Sequence, residues 1–203
     1  MAANDYHFIT HWYVPGTRQE VIEILSKPED LPRWWPAVYL DVKVLEPGDE
    51  RGVGKVVDVY TKGWLPYTLR WRFRTTEVNA PKTMTLVAEG DFVGRGIWTL
   101  AQDDDHVHVI YDWRIRAEKP LLRRLSWLLK PIFAANHRWA MAKGEESLKL
   151  ELARRHAATA ADLARVPAPP QPTTAAASAV PLMAVSGAAI ALALLLMRRR
   201  SSR

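Results

Sequence analysis

Few residues in this chain are of a type and spacing that could do chemistry. His137, beside Asn136 and Arg138, lies near the start of a long helical run. An imidazole there could serve as a general base if a second group oriented it and a substrate proton came within reach, but a histidine held for structure is the simpler reading. Tyr111, on an aromatic-rich strand, is the other weak catalytic candidate. Asp58 and Asp112 also fall on strands, yet Asp112 shares the wetted face with Arg114 and Arg116 and reads as an ion-pair partner.

Metal chemistry has little to work with. There is no cysteine among the 203 residues, so thiolate sites and disulfides are excluded and the redox state of the compartment is left open. Of the six histidines, His106 and His108 share one strand face, and so do His7 and His11. No third ligand stands at a suitable spacing, which makes these solvated surface histidines. No metal and no cofactor is expected.

The elements that must position these residues are legible as alternation. From Tyr67 to Thr75, Tyr67, Leu69, Trp71, Phe73 and Thr75 fall on one face, with Arg70, Arg72 and Arg74 on the other. The pattern returns where Val107, Val109, Tyr111, Trp113 and Ile115 oppose His108, Asp112, Arg114 and Arg116. Such strands build an antiparallel sheet with one apolar face that must be covered. Further strands are expected over 6–14, 38–46, 55–62, 82–89 and 94–102, separated by turn-rich pieces such as Pro47-Gly48-Asp49. Thr17 with Glu20 three residues later predicts a capped helix carrying Val21, Ile22, Ile24 and Leu25, and a second short helix is expected between Pro28 and Pro36.

After the strands, Leu121 to Leu129 reads as a short basic amphipathic helix ended by Lys130-Pro131, and Pro131 suits the first position of the next helix, which should run to about Arg155. Ala134, Ala135, Ala140, Ala142 and Gly144 keep that helix slim, so that it can lie close on the sheet or leave room for a ligand. The pocket-lining candidates are Leu69, Trp71, Phe73, Met84, Leu86, Trp98, Leu100, Tyr111, Trp113, His137 and Trp139, each with plain core packing as the alternative. The segments 121–129 and 63–67 both carry large apolar residues near element ends. They are expected either to close over a pocket or to touch a bilayer, where Arg123, Arg124 and Lys130 would favour anionic head groups at roughly 1 kcal/mol each.

Residues 157–178 turn Ala-rich and then Pro-rich, the composition of a linker. Ala179 to Met197 then holds 19 residues without a charge, followed by Arg198-Arg199-Arg200. At about 1.5 Å per residue this stretch can cross a hydrocarbon core of roughly 30 Å. The expected organisation is therefore a domain at 1–156, a linker at 157–178, a transmembrane helix at 179–197 and a basic tail at 198–203. Met1 to Asp5 shows no secretory signal, so the domain is expected on the cytoplasmic side of a carboxyl-terminal anchor. The triple Arg argues the other way, but only a six-residue tail must cross in this arrangement.

The net charge of +6 does not imply nucleic acid: of the 28 lysines and arginines four lie in the tail, leaving 24 against 22 acidic residues. A nearly balanced domain with its rings at core-facing positions is a poor nucleic-acid binder.

Asn136-His137-Arg138-Trp139-Ala140-Met141, followed by Gly144-Glu145-Glu146-Ser147-Leu148 and Leu152-Ala153-Arg154-Arg155, resembles the terminal helix of bacterial START-like proteins. These form the polyketide cyclase/dehydrase and lipid transport group of the SRPBCC superfamily. The Val14-Pro15-Gly16 turn and the Gly94-Arg95-Gly96-Ile97-Trp98 strand look like the same family, and the resemblance covers about Tyr6 to Arg155. It implies an α+β helix-grip fold, with a seven-stranded antiparallel sheet wrapped on the long carboxyl-terminal helix and a hydrophobic cavity between them. It also implies binding or transport of a lipid, quinone or polyketide-like molecule, with cyclase or dehydratase chemistry as the alternative. It brings no catalytic set, because the superfamily's enzymes do not share one.

Overall fold

The computed structural model describes residues 3–173. Alternating sequence becomes alternating burial: along β4 (Thr68–Asn79) Leu69, Trp71, Phe73 and Thr75 are buried while Arg70, Arg72 and Arg74 are exposed. β7 (His106–Ala117) buries Val107, Val109, Tyr111, Trp113, Ile115 and Ala117 in the same way. With β1 (Asp5–Pro15), β2 (Tyr39–Glu46), β3 (Val56–Lys62), β5 (Thr83–Gly90) and β6 (Phe92–Asp103) they form one seven-stranded sheet in the order β1-β7-β6-β5-β4-β3-β2. Every neighbouring pair is antiparallel, so β2 to β7 run as a meander and β1 closes the far edge against β7.

The connection from β1 to β2 is helical. α1 (Arg18–Leu25) opens with the expected capping box: Thr17 accepts from the Glu20 backbone N–H, and the Glu20 carboxylate accepts from the Thr17 backbone N–H at 2.8 Å. Glu20 also meets His156 Nε2 at 2.5 Å, which ties the end of the long helix 120–156 to this cap and, with His156 as the leading cause, holds the Glu20 carboxyl down at about 2. A 3₁₀ turn (Pro28–Asp30) and α2 (Leu31–Trp34) follow and deliver Trp34 and Trp35 to the core.

The apolar face is covered by α3 (Pro120–His156), one helix of 37 residues. This corrects the expectation of two helices broken at Lys130-Pro131, because Pro131 sits inside α3. Pro131 and Trp127, the residue whose carbonyl loses its partner, both lie on the exposed side, where water can satisfy the freed group. The expected linker also contains a short helix, α4 (Ala160–Arg165), capped by Thr159.

The second half of α3 is solidly packed. Leu148 and Leu152 are fully buried, and the Glu151 carboxylate receives both guanidinium nitrogens of Arg33 at 2.8 and 2.9 Å, which fastens α2 to α3. The small residues divide by role. Gly144 faces Trp35, Ala140 faces the hollow described below, and Ala142 is exposed. The expected membrane segment lies outside the described residues, and none of the described helices is long and apolar enough to cross a membrane.

A Cβ built on Gly144 would stand 2.3 Å from Trp35 Cζ2. Gly144→Ala should therefore overpack the helix against Trp35 and destabilise the fold by about 1–3 kcal/mol, read as a lowered urea midpoint.

Candidate functional site

Between the first half of α3 and the sheet the packing opens into a hollow with two cavities, of about 120 Å³ and about 70 Å³. The larger is walled by β1, β4, β7 and α3, with Phe8, Leu69, Trp113, Phe133 and His137 among its residues. The smaller lies toward the 3₁₀ turn and β5, with Phe73, Met84, Leu86 and Trp98. Five residues line both: Trp35, Tyr39, Trp71, Tyr111 and Met141.

One wall is a layer of rings standing on β4, β6 and β7. Trp98 and Tyr111 stack with centroids 3.9 Å apart and 17° between planes, Tyr111 and Trp113 follow at 5.5 Å, and Trp113 and Trp71 at 5.7 Å. Gly96, opposite Trp113 in the β6–β7 register, gives this layer its space, since a Cβ there would lie 2.5 Å from the Tyr111 hydroxyl. Alternation along β6 and β7 brings the rings to one face, and the missing side chain lets them lie flat on it.

Two polar clasps close the larger cavity. Ser126 donates to the Leu122 carbonyl at 2.6 Å, so the Tyr6 hydroxyl, 2.8 Å away, donates to Ser126. Asn136 Oδ1 accepts the Leu65 backbone N–H at 3.1 Å, and Gly63 is where the chain passes Asn136, with no space for a Cβ. Leu65 is buried and Gly63 and Tyr67 line the cavity, so of the two expected roles the 63–67 turn takes the first and folds over the cavity. The segment 121–129 divides instead. Leu122 faces the cavity while Trp127 and Leu128 are 72% and 58% exposed.

Of the residues singled out from sequence, Leu69, Trp71, Tyr111, Trp113 and His137 line the larger cavity, and Trp71, Phe73, Met84, Leu86, Trp98 and Tyr111 the smaller. Leu100 is buried in the core and Trp139 is half-buried against it, and neither lines a cavity. Sequence reasoning missed Trp35, Tyr39, Phe8 and Asn136. Trp34 and Trp35 are adjacent at the end of a short helix, and nothing in the sequence there tells which ring turns toward the sheet.

His137 stacks on Phe8 at 4.0 Å, and its Nε2 is buried with no hydrogen-bond partner. Burial first, then the neighbouring Arg138 charge, push its pKa down to about 4. A neutral imidazole without an orienting partner is a weak base at neutral pH. Burial likewise raises the phenols of Tyr39 and Tyr111 above their ordinary range, so both remain uncharged donors. Charged groups stand on the outer face: Asp112 meets Arg114 and His7, which hold its carboxyl below the usual range, and Asp58 lies 3.5 Å from Arg72. His11 and His108 share a hydrogen bond of 2.9 Å there, and no group of three metal-ligand side chains forms among the described residues.

No protein-family model matches the sequence, and no curated protein does. Solved structures do. A protein of Thermus thermophilus aligns with a TM-score of 0.57 at 16% identity, over 70% of this chain and 97% of its own. The aromatase/cyclase of Streptomyces sp. R1128 aligns with a TM-score of 0.59 at 16% identity, over 77% and 98%. Norcoclaurine synthase of Thalictrum flavum reaches 0.50 at 15% identity, over 73% and 96%. The chain has the helix-grip fold. At these identities the likeness speaks for the fold alone, so what the helix-grip cavity does must be argued from its walls.

Between about pH 6.5 and 4 the unfolded chain takes up a proton at residue 137 that the folded chain refuses. Stability should therefore fall as the pH drops through this window, by about 3 kcal/mol, and level off below it. Urea midpoints of the wild type and His137→Gln, compared across pH 4 to 7, should diverge by that much.

Proposed function

We propose that this protein binds a hydrophobic small molecule, a lipid, quinone or polyketide-like compound, in the helix-grip cavity and holds or moves it at a membrane. The observation that carries the reading is the pair of ring-lined cavities whose shared walls are neutral. No carboxylate lines either cavity: the inner face of the sheet offers indole and phenol, α3 adds the imidazole of His137, and Lys62 and Lys55 at the margins are held by backbone carbonyls. Such walls suit an apolar guest and disfavour an ionic one.

Two features support the membrane part. The uncharged segment Ala179 to Met197 is long enough to serve as an anchor, with the domain on the cytoplasmic side. On α3, exposed Trp127 and Leu128 lie beside Arg123 and Arg124, a combination that suits an anionic lipid surface next to the cavity.

Cyclase or dehydratase chemistry in the same cavity is the second reading, favoured by His137 on α3 and Tyr111 on β7 both lining the larger cavity. Turnover of a polyketide-like substrate that disappears in His137→Ala, with folding intact, would select it. The low pKa of His137 weighs for binding.

Mass spectrometry of the full chain extracted from native membranes should find an apolar compound bound. Trp113→Ala, which removes a ring from the wall, should lower its occupancy at least about ten-fold; an unliganded wild type would overturn the binding reading. Deleting Ala179 to Arg203 should move the protein from the washed membrane pellet to the supernatant. A truncated protein that still pellets would transfer the anchoring role to the Trp127 and Leu128 face.

A further inference from the structure

Given the binding reading above, the structure also points to what lies in the middle of the ligand. The boundary between the two cavities is made of the side chains common to both, and three of these carry polar atoms that nothing answers. Trp35 is 3% exposed, and its indole N–H is buried without a partner. Among the described residues, the hydroxyls of Tyr39 and Tyr111 make no hydrogen bond either. All three line both cavities, and the Tyr39 ring lies 5.2 Å from that of Trp35. Elsewhere in the hollow the Trp71 indole donates to Thr61 Oγ1 at 3.1 Å and Tyr6 is held by Ser126, while His137 Nε2 and the Tyr67 hydroxyl, also without a partner among the described residues, line the larger cavity alone.

A buried polar group is normally satisfied, so the Trp35 N–H calls for a cause, and two further unpaired donors line the same boundary. Trp12 and Trp34 also leave indole N–H groups unpaired, but they line neither cavity and no guest reaches them. The three groups at the boundary differ in standing where a guest would pass. An indole N–H only donates, and a phenol kept neutral by burial donates readily. What would satisfy all three is a set of acceptor oxygens without charge. A saturated acyl chain has none.

We infer that the ligand spans both cavities, with an apolar group in each and one or more ketone-like oxygens between them that accept from Tyr39, Tyr111 and Trp35. Size agrees with this division. One water needs about 10–15 Å³ of such free space, so cavities of about 120 and 70 Å³ each have room for a ring-sized group. Met141, whose flexible thioether borders both, can yield to a guest lying across the boundary.

Benzophenone and diphenylmethane test the assignment, because both place two rings about one central carbon and only the first bears an oxygen there. Full-length protein in lipid nanodiscs is dialysed to equilibrium against each probe, with empty discs as the reference. Binding of benzophenone at least about ten-fold tighter than diphenylmethane is expected, because only benzophenone offers an acceptor to donors that stand unpaired in the free protein. In the Tyr39→Phe/Tyr111→Phe double variant the gap should shrink to within about two-fold, with diphenylmethane binding as before. Each substitution removes a hydroxyl that makes no hydrogen bond, so the fold is kept, and an unchanged thermal midpoint checks this. Equal affinity of the two probes in the wild type, or a preference that survives in the double variant, would overturn the polar boundary while leaving the binding reading standing. Failure of the wild type to take up either probe would overturn both.

Discussion

The indole of Trp35 decides where this molecule is solid and where it is hollow. It is wedged against α3 at Gly144, meets Trp12 edge-on at 5.6 Å and Tyr39 at 5.2 Å, and lines both cavities. Beyond it, toward the end of α3, Leu148, Leu152, Val14 and Trp34 leave almost nothing exposed. On its other side the helix presents Ala140 and the imidazole of His137 to the sheet, too little volume to meet the rings opposite. Since interiors pack to near-crystalline density wherever side chains can reach one another, a void here follows from that mismatch of sizes. The polar clasps at Ser126 and Asn136 then hold the slim half of the helix at its distance instead of letting it collapse.

Alternation made the sheet legible. β4 and β7 could be read strand by strand from period-two alternation, and the Thr17 capping box marks the start of α1 in four residues. The site was legible only as a face. Trp71, Trp98, Tyr111 and Trp113 belong to the cavity walls because they share that face, but Leu100 shares it too and is ordinary core. Period two gives the side of a sheet on which a residue stands, and the depth of the covering helix at each point fixes whether the residue meets a void. That depth is set by Trp35 and Gly144, which lie far apart in the sequence. Pro131 misled for a related reason: a proline ends a helix when its lost hydrogen bond is buried, and here the loss falls on the solvent side.

The sheet also sorts charge. Its outer face carries pairs such as Arg74 with Glu46 and Asp112 with Arg114, half-exposed and worth little individually. Their effect is one of exclusion, because alternation that sends these carboxylates outward leaves none in either cavity wall, while Lys62 and Lys55 at the cavity margins are tied to backbone carbonyls. Within the hollow, burial moves the three titratable groups at its centre in one sense, toward neutrality: His137 loses its proton more easily, while Tyr39 and Tyr111 hold theirs.

That common direction limits what chemistry the cavity can perform unaided. Proton abstraction at neutral pH needs a base whose pKa lies near the working pH, and the imidazole here is well below it with no carboxylate beside it to raise it. Stabilising a developing oxyanion asks for less, only donors fixed in a dry site, and unpaired phenol and indole groups are of that kind. The same donors that would recognise a carbonyl in a bound guest could therefore polarise it. Whether recognition passes into catalysis then depends on the guest, which would have to supply its own acidic C–H or a reactive carbonyl neighbour next to the oxygen held between Tyr39 and Tyr111.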